Sequence, residues 1–393
     1  MISEEEARRG ILDAIVPLPA RRVSLGEVLN CFAAQDYFAK ISLPGFDNSA
    51  MDGYAVIANS CQPGKPLRVV GEQPAGVDRK LRVAPGEAVR IFTGAPIPAG
   101  ADAIVMQEDV TRDGDRIVVN ERVGQGDFIR RKGCDLAEGQ KILAAGERIL
   151  PTIAALLASQ GLSEVVIGGE VSAAVISTGD ELAKPGEKLQ PGQIYDSNSV
   201  LIDSLLKQTG VAKRLIEHCG DQRESLTAAF QRGVKHDVMI ICGGVSVGEH
   251  DLVKSVLQAI GGKIEMWRVS IKPGTPFLFG MVETCRVFGL PGNPVSAFIT
   301  FRQFVRPAIL KMMGASDNAL QPSRVPARLA IDLRNDGDRP HYVRGKLQNG
   351  TFSPIGRQES HALFGLRQAD ALFRLPAGIE IKSGSMIEVE RLD

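Results

Sequence analysis

Four turns between residues 177 and 298 carry the side chains best suited to chemistry on an anion. The first is VMIICGGVSVGEHD, an apolar run that ends in Gly243, Gly244, Ser246 and Gly248. Glycine permits positive φ and close backbone approach, and free amides at the start of a following helix attract phosphate or another oxyanion. The second is STGDEL, where Ser177 and Thr178 precede Asp180 and Glu181. With Glu249 and Asp251 after the Gly-rich turn, these acids are carboxylates that a hard cation can bridge to phosphate. The third, RVSIKPGTPFLFG, sets Arg268 and Lys272 beside a Pro-Gly turn. Both are cations able to bind phosphate or a tetrahedral oxyanion, and strand alternation puts them on one face. The fourth, GLPGNPVSAF, brackets Gly292 and Asn293 between Pro291 and Pro294, making a stiff wall ahead of a helix. Each has a plainer reading too: a strand-to-helix turn, an acid favoured by a helix dipole, a solvated strand charge, or stiffness without chemistry.

The first half contributes LPGFDNSAMDGYAV, with Asp47, Asn48, Ser49 and Asp52, then RIFTGAPIPAGADAIVMQED, with Thr93 and Glu108, and then RRKGCD, with Asp135. Polar residues in Gly-containing loops make turns as readily as sites.

The elements that must position these turns follow from periodicity. Residues 3–38 show helical apolar spacing through Ala7, Ile11 and Ile15 and again through Val28, Leu29 and Phe32, which predicts two helices. From there to about residue 138 the chain is rich in Gly and Pro with short β-type runs such as YAVIA, AVRIF and AIVM. A helical stretch follows, so the β region reads as an insertion into one parent domain. From residue 171, apolar strands alternate with amphipathic helices, the pattern of a mostly parallel sheet covered on both faces. In such a sheet the STGDEL and GGVSVG turns leave at the carboxyl ends of strands, the edge where ligands bind. Beyond Gly314, ALQPSRVPA reads as a linker and RLAIDL, FRLP and MIEVERL as strands. The expected organisation is multidomain α/β plus β: residues 1–38 and 139–170 as a discontinuous N-terminal domain, 39–138 as a β-rich insertion, 171–318 as the α/β domain and 319–393 as a small C-terminal β domain.

Composition excludes several classes of function. The 393 residues exceed one ordinary core, and 44% hydrophobic with 23% charged residues is a globular balance. Lys+Arg and Asp+Glu each number 46, so no global basic field exists to concentrate nucleic acid or anionic lipid. An anionic ligand must be held by local charge. The start, MISEEEARRGIL, is acidic where a signal peptide is basic, which points to the cytoplasm, and no apolar run approaches the ~20 residues of a membrane helix. Six scattered cysteines without a CxxC pair read as reduced thiols rather than a zinc site or disulfide framework.

Taken in order, PGFDNSAMDGYAV, TGAPIPAGADAIVMQE, RRKGCD, STGDEL, GQIYDSN, GGVSVGEHD, IKPG and GLPGNPVSA resemble the molybdenum-insertase family over nearly the whole chain. The resemblance implies a homodimer whose α/β domain is similar to the molybdopterin-adenylyltransferase fold. It implies a transferase of molybdenum-cofactor biosynthesis that takes adenylated molybdopterin and molybdate, inserts the metal into the dithiolene and releases AMP with Mg2+. It further implies that Glu181 and Asp251 hold the metal, with Asp221 also at the reacting groups. Ser177, Thr178, Gly243, Gly244, Ser246, Gly248, Pro291, Pro294 and Arg344 would bind the pterin nucleotide. Arg268 and Lys272 would meet anionic groups, Asp52 and Thr93 would reach in from the partner subunit, and Asp135 is a further matched position.

A molybdopterin adenylyltransferase and apo-molybdoenzymes are the partners that this chemistry implies. Two departures from the family pattern stand out: KPGTP has Thr275 where relatives commonly carry a second lysine, and Phe364 and Gly365 stand where they often carry serines. The alternatives are a paralogue that binds the pterin nucleotide or inserts tungsten, and a non-catalytic dimeric scaffold.

Overall fold

A computed structural model describes residues 1–244 and 252–392. Ser246, Gly248, Glu249 and Asp251, named above, lie outside the described residues. The chain divides into two compact units: Met1–Gln35 with Ala144–Ala154 and Ser163–Asp393, and Asp36–Leu143 with Ala155–Leu162.

The centre of the first unit is a six-stranded sheet in the order Lys213–Cys219, Ser172–Thr178, Val238–Cys242, Cys285–Leu290, Leu278–Val282, Lys263–Trp267. Its first four strands are mutually parallel, and only Leu278–Val282 runs against its neighbours. The run VMIIC is buried at every position because it lies mid-sheet with helices on both faces. Alternation divides the core accordingly. Ala173 and Val175 pack with Ile202 and Leu206 of helix Ser197–Thr209 and with Val295 and Ile299 of helix Pro294–Thr300. Ala174 and Ile176 pack on the opposite face with Leu226 and Phe230 of helix Arg223–Gly233 and with Val253 and Val256 of helix Leu252–Ala259. Each buried Val, Leu, Ile or Phe among these contributes roughly 1.5–3 kcal/mol. After Thr300 the chain widens into a π-turn at Phe301–Val305 and resumes as Arg306–Met312. Pro307 has no N–H to return to the preceding turn, and the wider turn falls directly ahead of it.

The C-terminal strands of this unit close a barrel in the order Arg324–Leu329, Thr351–Pro354, His341–Gln348, Ala371–Leu375, Met386–Arg391. Phe352, Phe373, Val343 and Val389 fill it. The stretch read as a linker is structured: Asp317–Leu320 is a short helix, and Pro326 lies in a strand opposite Glu388.

Only one helix forms near the N-terminus, Glu4–Asp13, whose Ser3 and Glu6 make a reciprocal capping box. The second helix expected before residue 38 is absent. Arg21–Ser24 instead pairs antiparallel with Glu164–Ile167, and only a 3-10 turn at Leu25–Glu27 follows. Asn30 takes φ 66°, which no helix continues through, so Val28 and Phe32 reach the core without helical backbone.

The second unit is built on a six-stranded sheet in the order Ala103–Met106, Gly53–Val56, Glu87–Ile91, Pro66–Gln73, Arg116–Val119, Val110–Asp113. No helix of the described residues is long and apolar enough to cross a membrane. All six cysteines are free thiols. Burial pushes Cys219 up to about 11 and Cys285 up to about 12, and raises Cys242 as well, so these thiols stay protonated.

Candidate active site

Parallel register gathers the turns of the α/β sheet at one edge. Thr178 pairs with Cys219, Ser177 with Cys242, and Cys242 with Leu290. The turns that begin at Gly179, Gly220, Gly243 and Pro291 therefore all leave from the carboxyl ends of their strands. Strand Ser172–Thr178 is followed in sequence by the strand on one side of it and then by the strand on the other. This is the switch point at which an open α/β sheet leaves a crevice.

A cavity of about 460 Å³ occupies that crevice, walled by Ser177, Thr178, Glu181, Asn198, Asp221, Gly243, Gly244, Pro276, Pro291, Gly292 and Asn293 among others. Its floor is fixed by hydrogen bonds. The buried Ser177 hydroxyl donates to Asp196 at 2.6 Å, and Asp196 also caps helix Ser197–Thr209 by accepting from the Ser199 amide at 3.0 Å. Thr178 donates to Asp221 at 3.0 Å, and the Asp221 amide donates to Asp180 at 3.1 Å. Gly243 has φ 92°, and a Cβ there would lie 2.8 Å from the Thr178 carbonyl oxygen. Gly244 has φ 64°, and a Cβ there would lie 2.6 Å from Val253 and 2.9 Å from the Thr178 hydroxyl. These are places where backbone must run close to the neighbouring strand, and only glycine fits.

A second cavity of about 290 Å³ shares Pro276, Pro291 and Asn293 with the first. Lys272, Gly274, Thr275, Ser296, Arg339, Gln358 and Ser360 complete much of its wall. Lys272 is exposed, and its backbone is pinned on both sides: its N–H donates to Pro340 O at 2.9 Å, and its carbonyl accepts from Tyr342 at 2.8 Å. The 340–342 segment that docks here carries His341, whose ring is held down at about 4 by burial first and then by the charges of Lys272 and Arg344.

The structure thus brings Ser177, Thr178, Glu181, Asp221, Gly243, Gly244 and Pro291 to one cavity and Lys272 to the adjoining one. Pro294 is the first residue of helix Pro294–Thr300 and lines neither. Arg268 and Lys272 do not share a strand face, because strand Lys263–Trp267 ends before Arg268, which turns through φ 71°. Alternation cannot be extended across that turn. Arg268 lines neither cavity, and its buried Nε has no partner. Arg344 is only 1% exposed and lines neither cavity. Its guanidinium donates to the carbonyls of Arg357 and Glu359, the backbone beside Gln358 and Ser360.

In the second unit, the three loops singled out from the first half of the sequence meet. Asp52 accepts from both the amide and the hydroxyl of Thr93. Asp47 accepts from the Lys132 amide at 2.8 Å and from Arg131 at 2.7 Å, and these bonds hold its carboxyl below the usual range. Asp135 is exposed, with its amide bonded to Leu43 O at 3.1 Å.

Sequence reasoning missed Asn198 and Arg339 as wall residues. Asn198 belongs to the quoted GQIYDSN motif, and its side chain donates to Gly292 O at 2.6 Å. Nothing about Arg339 in RPHYVRGKL distinguishes it from any exposed arginine until the barrel is docked.

The description MoeA N-terminal region (domain I and II) matches residues 2–161, probable molybdopterin binding domain matches 174–311, and MoeA C-terminal region (domain IV) matches 326–392. A molybdopterin molybdenumtransferase of Haemophilus influenzae is 38% identical over 348 residues, covering 88% of this chain and 86% of that protein. Molybdopterin molybdenumtransferase 2 of Mycobacterium tuberculosis is 36% identical over 403 residues, covering 99% of each. The solved structure of a molybdopterin biosynthesis MoeA protein from Pyrococcus horikoshii OT3 superposes with a TM-score of 0.83 at 28% identity over 100% of both chains. With three consecutive family regions, relatives matched over most of their length and the same fold throughout, the chain belongs to the molybdopterin molybdenumtransferase family.

Proposed function

We propose that this chain is an enzyme of molybdenum-cofactor biosynthesis that transfers molybdenum from molybdate to adenylated molybdopterin, with release of AMP, in the cytoplasm. The observation that carries the reading is the pair of adjoining cavities. One is lined by small residues, glycine backbone and the acids Glu181 and Asp221, and the other bears Lys272 and Arg339 with the single acid Glu359. Molybdate is a dianion that must approach an anionic pyrophosphate, so the site has to hold the two apart from water while opposing their repulsion. Fixed cations and oriented donors do this without reorganising as the groups meet.

The donor set suits Mg2+. Among the described residues no group of three or more His, Cys, Asp or Glu side chains could hold a metal, yet Glu181 and Asp221 line one cavity. Magnesium is commonly held by one or two carboxylates together with substrate phosphates. Bound there, it supplies charge neutralisation at the pyrophosphate. Asp251 is a further candidate ligand outside the described residues. Thr178 orients Asp221, and Asp196 holds Ser177 and the start of the helix that carries Asn198. The homodimer, with Asp52 and Thr93 acting at the site of the other subunit, is part of the proposal and rests on the family resemblance.

Purified protein incubated with adenylated molybdopterin, molybdate and Mg2+ should release AMP and yield product that activates an apo-molybdoenzyme. Chelation should stop turnover, and added Mg2+ should restore it. Absence of molybdate-dependent product with intact substrates would overturn the assignment.

A further inference from the structure

We infer that the cavity between the N-terminal helix and the barrel binds a phosphate monoester on a hydroxyl-bearing body, with Arg8 and Arg324 at the phosphate and Asp13 and Asp317 at the hydroxyls. The inference is independent of the chemistry proposed for the sheet edge, and its test needs no turnover.

This cavity, of about 570 Å³, is larger than either cavity at the sheet edge and shares no wall residue with them. Helix Glu4–Asp13 forms one side, Lys311, Asp317 and Leu320 another, and Arg324 and Arg374 of the barrel a third. Five wall residues are cations and four are carboxylates, so composition alone does not say what the cavity holds. The pairing does.

The carboxylates nearest the barrel are already committed. Glu4 is buried and accepts from the Tyr342 hydroxyl and from Arg374 Nε at 2.7 Å, while Glu5 accepts from the other arm of Arg374 at 2.8 Å. Glu390 stands opposite Arg324 in the neighbouring strand, but its two oxygens accept from Arg302 at 2.7 Å and from Gln303 at 2.9 Å. Arg8 and Arg324 are left over. Among the described residues neither makes an ion pair, and the Arg8 guanidinium donates only to the Leu320 carbonyl, at 2.9 Å. Arg8 is half-buried, and burial lowers its guanidinium from the ordinary value, to which the like charge of Arg324 adds. Two guanidiniums that face one compartment without a counter-ion repel each other until an anion lies between them. A phosphate dianion matches both charges and has oxygens enough for two forks.

The other end of the cavity has the opposite character. Asp13 and Asp317 are exposed and make no ion pair among the described residues, and Lys311 gives its ammonium to the Leu12 carbonyl at 2.8 Å. Ionised carboxylates accept hydrogen bonds and repel an anion, which confines a phosphate to the arginine end and favours donors at theirs. The volume is that of a site for an organic molecule rather than an inorganic ion. Hydroxyl groups on such a body suit an aspartate, as ribose hydroxyls do in nucleotide sites. A sugar phosphate and a nucleotide share this chemistry.

The test titrates full-length protein calorimetrically at low salt with ribose 5-phosphate, AMP, inorganic phosphate and ribose. Ribose 5-phosphate should bind about tenfold or more tighter than inorganic phosphate, and ribose should not bind. Arg324→Gln and Arg8→Gln should each weaken ribose 5-phosphate about tenfold, the loss expected for one charge-assisted contact. Arg324 is exposed, so its variant covers the case in which Arg8→Gln, which also loses the Leu320 bond, fails to fold; urea unfolding checks both. Asp13→Ala with Asp317→Ala should shrink the preference for ribose 5-phosphate over inorganic phosphate. Asp221→Asn should bind ribose 5-phosphate as wild type does, since Asp221 lines the other cavity. Tighter binding of AMP than of ribose 5-phosphate, with the same dependence on Arg324, identifies a nucleotide as the occupant, and the reverse order a sugar phosphate; either upholds the site. Wild-type protein that binds neither ester, inorganic phosphate bound as tightly as ribose 5-phosphate, unchanged binding in folded Arg324→Gln, or loss of binding in Asp221→Asn would each overturn the inference.

Discussion

The Asp52 carboxylate holds Thr93 by two hydrogen bonds, from its amide and from its hydroxyl, both 2.7 Å. These bonds hold the Asp52 carboxyl below the usual range, so it stays charged on an exposed loop of the second unit. If a homodimer shares its sites, Asp52→Asn and Asp221→Asn should each be poorly active alone. In a mixed dimer the two lesions would fall in one site and leave the other whole, so random exchange of equal amounts should restore about a quarter of all sites. AMP release after verified subunit exchange is the measurement. Activity no greater than the sum of the parents would rule out sharing.

Gly243→Ala should destabilise the protein by about 2 kcal/mol or more, because alanine resists positive φ and its Cβ would press on the Thr178 carbonyl 2.8 Å away. Displacing Thr178 also weakens its bond to Asp221, so affinity for the pterin nucleotide should drop in the same variant. Gly292→Ala is the control for folding: its Cβ would meet only Gly243 Cα at 3.8 Å, an ordinary contact. Urea unfolding of the two variants distinguishes backbone strain from a general intolerance of the loop.

Arg344 is buried as an anchor for the 357–360 segment, and the Gln358 side chain returns the bond by donating to the Arg344 carbonyl at 2.9 Å. Arg344→Leu should cost about 2–4 kcal/mol by removing a buried guanidinium and leaving the part-buried carbonyls of Arg357 and Glu359 without these donors. Arg344→Lys should recover little, since an ammonium cannot span both. Limited proteolysis between residues 355 and 362 should quicken in both variants. Wild-type protease resistance there would show that the barrel holds this segment without the guanidinium.

His341 sets a pH window. Unfolded, its ring titrates near 6.5, and in the native protein at about 4. Between those values the unfolded chain binds a proton that the native chain does not. The residue is therefore neutral in its effect above pH 6.5, and it costs stability progressively as pH falls toward 4. Partial exposure reduces the cost to roughly 1–2 kcal/mol. His341→Gln should flatten the fall in urea midpoint between pH 6.5 and 4 while leaving the neutral-pH unfolding free energy within about 1 kcal/mol of wild type. An identical acid slope would remove His341 as its source.

The sequence by itself determined the two-sided core of the α/β domain, because the continuous apolar runs Ala173–Ile176 and VMIIC, buried at every position, demand a sheet covered on both faces wherever the rest of the chain goes. It also singled out turns that the sheet gathers at one edge, since Gly243 and Gly244 are required by local backbone geometry and the ordered motifs are written in adjacent residues. Where local periodicity misled, a few residues outweighed it: Asn30 in the left-handed region ended the apparent helix around Phe32, and Arg268 at φ 71° broke the alternation read through to Lys272. Only tertiary structure decided that Arg344 is an anchor rather than a wall residue, and that Arg339 meets Thr275 from 64 positions away. The physical reason is separation along the chain. A guanidinium that reaches across docked domains is distinguished by its partners, and no spacing pattern near Arg339 encodes who they are.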